Sequence, residues 1–190
     1  LLSVQSGGDA RQPHGLPTAN FAKDMDAHGL KGAKIAWLGD WGLPFDDGIM
    51  DISERAVEDL RALGADVTVI DAPFSMEALW ESWITLRSWM VASGAGVFYD
   101  DPEKRDLLKP AAIWEIERGL AMSAREVHQQ SVVRSMWFKK AAQLFETYDA
   151  FLMPSAQVWP FPIDWVHPTE IGGVQMDTYH RWMQVVIPAG

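Results

Sequence analysis

Residues 34–71 carry the pattern that most restricts how this chain can fold. Lys34-Ile35-Ala36-Trp37-Leu38 reads as a strand and runs into the turn Gly39-Asp40-Trp41-Gly42. Asp46 and Asp47 then supply helix-start chemistry, and Ile49, Ile52, Ala56, Val57, Leu60 and Leu63 recur at helical spacing. Gly64 ends that helix, and Asp66 to Asp71 reads as a second strand. A strand, a helix and a strand at this spacing form a βαβ unit, whose strands lie parallel and whose crossover is right-handed. The turn GDWGLPFDDG lacks the G-x-G-x-x-G spacing and carries two acids where a pyrophosphate would sit, which argues against dinucleotide binding.

The rest of the chain is helical until its last forty residues. Ser75 to Ser93 is predicted as a helix with Ser75 as N-cap, an apolar stripe of Leu79, Trp83, Leu86 and Met90, and a widening by Trp80, Ile84 and Val91. Arg87, its only basic residue, either snorkels and pairs with Glu81 or another surface acid, or is a buried cation for a polar substrate group. Pro102 to Leu120 is helical, with Pro110 starting a second helix or kinking the first. Ser123 to Tyr148 is a long amphipathic helix with Val127, Val133, Trp137, Ala141 and Leu144 inward and His128 in a hydrogen-bonded structural role. Ala150 to Met153 is a short strand. The loop from Pro154 to Pro168, with Trp159, Phe161 and Trp165, should pack on a surface or line a cleft. Val185, Val186 and Ile187 read as a buried strand or its approach.

Composition removes several classes of function. The 190 residues contain 16 Lys plus Arg against 26 Asp plus Glu, a net charge of -10 that is the wrong sign for a nucleic-acid partner. With no Cys there is no disulfide, thiolate metal site or Cys nucleophile, and the five His lack ligand spacing. Ser155 follows a strand end but lacks the G-x-S-x-G context and a nearby base. No apolar run reaches the ~20 residues that span a bilayer, so no membrane partner is expected, and cytoplasmic is the default location. Ten Trp point to a large packed body or an aromatic pocket. Both ends read as cut: Leu1, Leu2 and Val4 look like the end of a helix before a connector at 7–20, and the last strand-like run would need partners further along.

In order along the chain, four segments resemble the amidase signature family downstream of its catalytic signature. They are LLSVQSGGDARQP, a Gly-Asp-x-Arg-x-Pro connector; GLKGAKIAWLGD with ALGADVTVID; FETYDAFLMPSAQVWPFP; and MDTYHRWMQVVIPAG. The resemblance implies an α/β fold with a mixed sheet covered by helices on both faces, of which 1–190 is a later part. Its pieces are a connector at 1–32, the βαβ unit at 33–71, a helical cover at 72–148, and a strand, aromatic loop and pre-strand segment at 149–190. It further implies hydrolysis of a carboxamide C–N bond through an acyl-serine, with a Ser nucleophile, a second Ser in a cis peptide and a Lys, and no metal or organic cofactor. None of those catalytic residues matches a position here, Lys31 and Lys34 included, so the chain alone is expected to be inactive. By segment, Trp83, Arg87, Tyr179, Trp182 and Met183 are the candidates for substrate binding, and an aromatic, Met-rich wall favours a bulky apolar or aryl amide. The implied partners are a small-molecule amide, the remainder of the domain and, as an option, a second copy in a homodimer. The alternatives are a non-catalytic binding protein on the same scaffold, the amidase component of a glutamine-dependent amidotransferase, and an unrelated α/β domain that binds a partner through its Trp-rich face.

Overall fold

The computed structural model describes residues 20–21 and 29–189. The helix end at Leu1 to Val4 and, apart from Asn20, the connector at 7–20 lie outside the described residues.

Three parallel strands form the sheet, β1 (Lys34–Trp37), β2 (Asp66–Val69) and β3 (Ala150–Leu152), in the order β2-β1-β3. The β1–β2 pair, joined through α1 (Ile49–Ala62), is the expected βαβ unit, with Ile35 opposite Val67 in register. A mixed sheet was expected, but antiparallel pairing among the described residues occurs only in a separate ribbon. There β4 (Glu170–Ile171) pairs with β5 (Val174–Gln175) through Gly172 and Gly173, both at positive φ. A Cβ on Gly172 would stand 2.8 Å from the Phe45 carbonyl oxygen, so the ribbon packs closely on the loop that follows β1.

On one face of the sheet, Ile35, Trp37 and Val67 pack with Val57 of α1. On the other, Leu38 joins a cluster with Trp41, Trp80 and Trp137, against which Phe151 packs. Trp41 holds a left-handed backbone (φ 50), rare for a bulky residue. Its indole offsets that strain by donating to the Phe74 carbonyl at 2.9 Å and meeting Trp137 edge to face at 5.5 Å.

Four helices follow β1 and β2: α2 (Met76–Tyr99), the short α3 (Pro102–Arg105), α4 (Pro110–Leu120) and α5 (Ala124–Phe145). Ser75 caps α2 through the Ala78 amide, Pro110 occupies the first turn of α4, and Ser123 with Glu126 closes a capping box on α5. Helix α2 runs six residues past the expected end at Ser93. Its buried face is centred on Trp80, Ile84 and Ser88, while Met90 of the expected stripe is exposed. The crossing with α4 decides this, because a Cβ on Gly119 would stand 2.2 Å from the Ser88 carbonyl oxygen. Only small residues allow so close an approach.

Three local expectations are corrected. Asp46 and Asp47 do not cap α1: Gly48, at φ 84, is its N-cap, and Asp46 instead accepts from the Trp159 amide at 3.3 Å. Ile52 and Ala56 of the expected apolar face are exposed. The run Val185-Val186-Ile187 lies in a 3-10 segment, Arg181–Ala189, and not in a strand. Its polar partners are side chains from elsewhere in the fold: the Val185 amide donates to Gln157 Oε1 at 3.0 Å, and the Pro188 carbonyl accepts from Trp137 Nε1 at 3.0 Å. Tertiary partners thus override the β preference of branched residues.

Candidate functional site

Spacing on α2 places Trp83 and Arg87 one turn apart on the same face. The crossing at Gly119 brings that face against Trp114 and Glu115 of α4. Arg87 Nε donates to Glu115 Oε1 at 2.6 Å, and its guanidinium lies 5.3 Å from the Trp83 ring centre. His180, directly before the 3-10 segment, brings Nε2 to 3.2 Å from the same Glu115 oxygen. Glu115 is 4% exposed and His180 1%. Burial works against the Glu115 charge, but the hydrogen bonds from His180 and Arg87 outweigh it and hold the carboxyl below its usual range. Around His180 the rings of Tyr179, Trp83 and Trp114 stand at 5.1, 5.9 and 6.1 Å.

This cluster lies along a cleft of about 860 Å³, lined by Trp114 from α4, Trp165 and His167 from the aromatic loop, and Tyr179. Its walls are mostly apolar, with Arg87, Glu115 and His180 among the polar groups, a composition suited to a flat organic molecule oriented by a few hydrogen bonds. A second groove of about 670 Å³ runs between α2 and α5 and shares Arg87 with the first. Beside the cleft, Arg181 lies over Trp80 at 4.0 Å and pairs with Asp177 and Glu77. The hydrogen bond from Arg181 holds the Asp177 carboxyl low.

Of the five residues singled out from the sequence, the fold brings Trp83, Arg87 and Tyr179 together around His180. Trp182 and Met183 line neither cavity. Trp182 meets Phe161 edge to face at 5.5 Å, and the Met183 amide donates to the His180 carbonyl. Among the described residues Arg87 pairs neither with Glu81 nor with another surface acid; its partner is the buried Glu115, while Glu81 faces Arg118 at 3.9 Å. Sequence reasoning missed Glu115, Trp114 and His180. The available signal was an acid set between Trp114 and Ile116 on an apolar helix, a charge that burial requires to be paired. His128, expected in a hydrogen-bonded role, is exposed, and its side chain makes no hydrogen bond among the described residues. Ser155 is exposed in the aromatic loop, the described residues hold no cluster of potential metal ligands, and no described helix is long and apolar enough to cross a membrane.

No protein-family model matches the sequence, and no curated protein matches it. Solved structures do. The chain is similar to a bacterial aryl acylamidase belonging to the amidase signature family, with TM-score 0.81 and 22% identity over 96% of this chain and 40% of that one. It is also similar to an amidase, with TM-score 0.70 and 18% identity over 85% and 36% of the two chains. A third likeness is to a glutamyl-tRNA(Gln) amidotransferase subunit from Thermotoga maritima, with TM-score 0.63 and 19% identity over 96% and 38%. The fold is therefore that of amidase signature enzymes, and the chain spans 40% or less of the length of these neighbours.

Proposed function

We propose that this chain is the later, pocket-forming part of an amidase signature enzyme, and that the whole protein hydrolyses the C–N bond of a small apolar or aryl carboxamide. The observation that supports this reading best is the likeness to the aryl acylamidase along 96% of the chain. On this reading the nucleophilic Ser, its cis Ser partner and the Lys lie outside these 190 residues, which are inactive alone. The three parallel strands belong to a larger mixed sheet with helices on both faces.

The role of this chain is then to receive the part of the substrate that does not react. Trp114, Trp165 and Tyr179 offer ring faces and edges to an aryl group, and excluding water there strengthens every polar contact in the cleft. Glu115 neutralises Arg87 and fixes the ring of His180 from one side. Binding energy from such a remote contact accelerates the reaction only if it is realised more fully in the transition state, as orientation of the scissile bond would be. The amidotransferase reading has the weaker structural likeness, TM-score 0.63 against 0.81.

The test is made on the whole parent protein. A fluorophosphonate probe is expected to label one Ser outside these residues, and an acyl anilide is expected to release its arylamine, with both lost when that Ser is replaced by Ala. Absence of labelling together with absence of arylamine release would leave a binding protein on an amidase scaffold, and release of glutamate from glutamine would favour the amidotransferase reading.

A further inference from the structure

Two residues that line the cleft, His180 and His167, each carry a buried Nδ1 with no hydrogen-bond partner among the described residues. Buried polar atoms left unmet are few in folded proteins, because each forfeits the hydrogen bonds it made with water. His180 is the stronger case. Its ring is 1% exposed, and its Nε2 is already committed to Glu115 at 3.2 Å. A carboxylate oxygen can only accept, so Nε2 carries the hydrogen. In the neutral imidazole, a hydrogen on Nε2 leaves a lone pair on Nδ1.

We propose that this cleft is a subsite for a planar aromatic ring carrying an N–H or O–H donor, which bonds to Nδ1 of His180 while the ring lies among Trp114, Trp165 and Tyr179. The volume of about 860 Å³ accommodates such a ring with substituents. Arg87 and Glu115 act as positioning residues, since they set the tautomer of His180 from the side away from Nδ1. As the aryl-recognition part of the proposed amidase the subsite rests on that reading, but its occupancy is measured by affinity alone.

Indole and benzofuran have nearly the same shape and differ in the N–H, so they isolate the donor. Calorimetry on the parent protein is expected to show indole bound about tenfold more tightly than benzofuran, the scale of one hydrogen bond to a buried acceptor. His180→Gln keeps an amide N–H near the former Nε2 and lacks an acceptor at the Nδ1 position, so the preference should fall to about onefold. His180→Asn places an amide oxygen near that position and should retain most of the preference, while Trp114→Ala should weaken both ligands alike. Equal affinity of the two ligands for the unaltered protein would overturn the subsite without any variant. So would an unchanged preference in His180→Gln, or its complete loss in both His180 variants, which would place the effect in the Glu115 contact. A parent that prefers indole but cleaves no anilide retires the amidase reading alone, and one that cleaves anilides without the preference retires the subsite alone.

Discussion

Helices α2 and α5 are similar in length, 24 and 22 residues, and pack side by side, with Ser82 Oγ of α2 donating to the Gln130 carbonyl of α5 at 2.8 Å. Yet α2 buries eight residues and α5 buries Trp137 alone. The better-capped helix is the more exposed one: α5 has a complete capping box, while Val132, Met136, Phe138 and Phe145 face outward. Caps and propensity make a helix, but its neighbours decide which of its faces leave water. Helix α2 is buried because α4 crosses it at Gly119, Arg181 covers Trp80, and the aromatic cluster beneath the sheet takes its first turns. The apolar side chains that α5 leaves exposed are of the kind that mark a contact surface, in keeping with a chain that spans part of its neighbours' length.

The largest effect expected from this contrast is at Trp80, which is 2% exposed and stacks on Trp83 at 5.9 Å. Trp80→Ala should cost about 3–5 kcal/mol by urea denaturation. A loss under ~1 kcal/mol would make α2 no more central than α5. Next is Gly119→Ala, whose methyl must push against Ser88 and Ala92 of α2. A cost of about 1–3 kcal/mol is expected, with a lower thermal midpoint, and a neutral result would mean that the two helices separate freely.

Glu115→Gln should cost about 2 kcal/mol, below the usual value for breaking a buried pair because Arg87 is 37% exposed and can turn to water. Its pH dependence is sharper than its size. The carboxyl sits below its ordinary value of 4.5 in the folded protein, so in mildly acidic solution the unfolded chain binds more protons than the folded one. The stabilisation is complete above that ordinary value and is lost as pH falls through the lowered folded one. Urea midpoints followed through this range should converge for the unaltered protein and the Gln variant, and parallel curves would remove Glu115 as the source. The smallest effect is expected at Phe138 of α5, which is 73% exposed: Phe138→Ser should change the stability of the 190-residue chain by less than about 0.5 kcal/mol. The same substitution in the parent protein measures whether this face is covered there.

Local signals were legible where the physics is local. Ser75 caps its helix as expected, and of the two readings open at Pro110 the structure takes the start of a second helix, because a cap or a missing amide acts within one turn. The parallel pairing of β1 and β2 follows from the chain between them. The β4–β5 ribbon was missed because two-residue strands leave no alternation to read, although a Gly-Gly pair between Ile171 and Val174 is a turn signal. Of the two readings of Val185 to Ile187, the strand fails because branched residues are equally content in any buried segment whose backbone finds partners, and those partners are Gln157 and Trp137. At the candidate site, two adjacent turns of α2 yielded Trp83 and Arg87, but choosing by segment also took in Trp182, which packs on Phe161, and Met183, which lines neither cavity.

By itself, then, the sequence determined the βαβ unit, the succession of helices, the absence of cysteine chemistry and a resemblance strong enough to name a fold. Only the tertiary structure decided that Arg87 would meet Glu115, 28 positions away, that His180 would reach the same oxygen, and that Trp114 and Tyr179 would close around them. The reason is physical. Helix caps and strand periods act over a few residues, whereas a buried charge finds its partner only after two helices cross, and the site of that crossing is set by the lack of a side chain at Gly119.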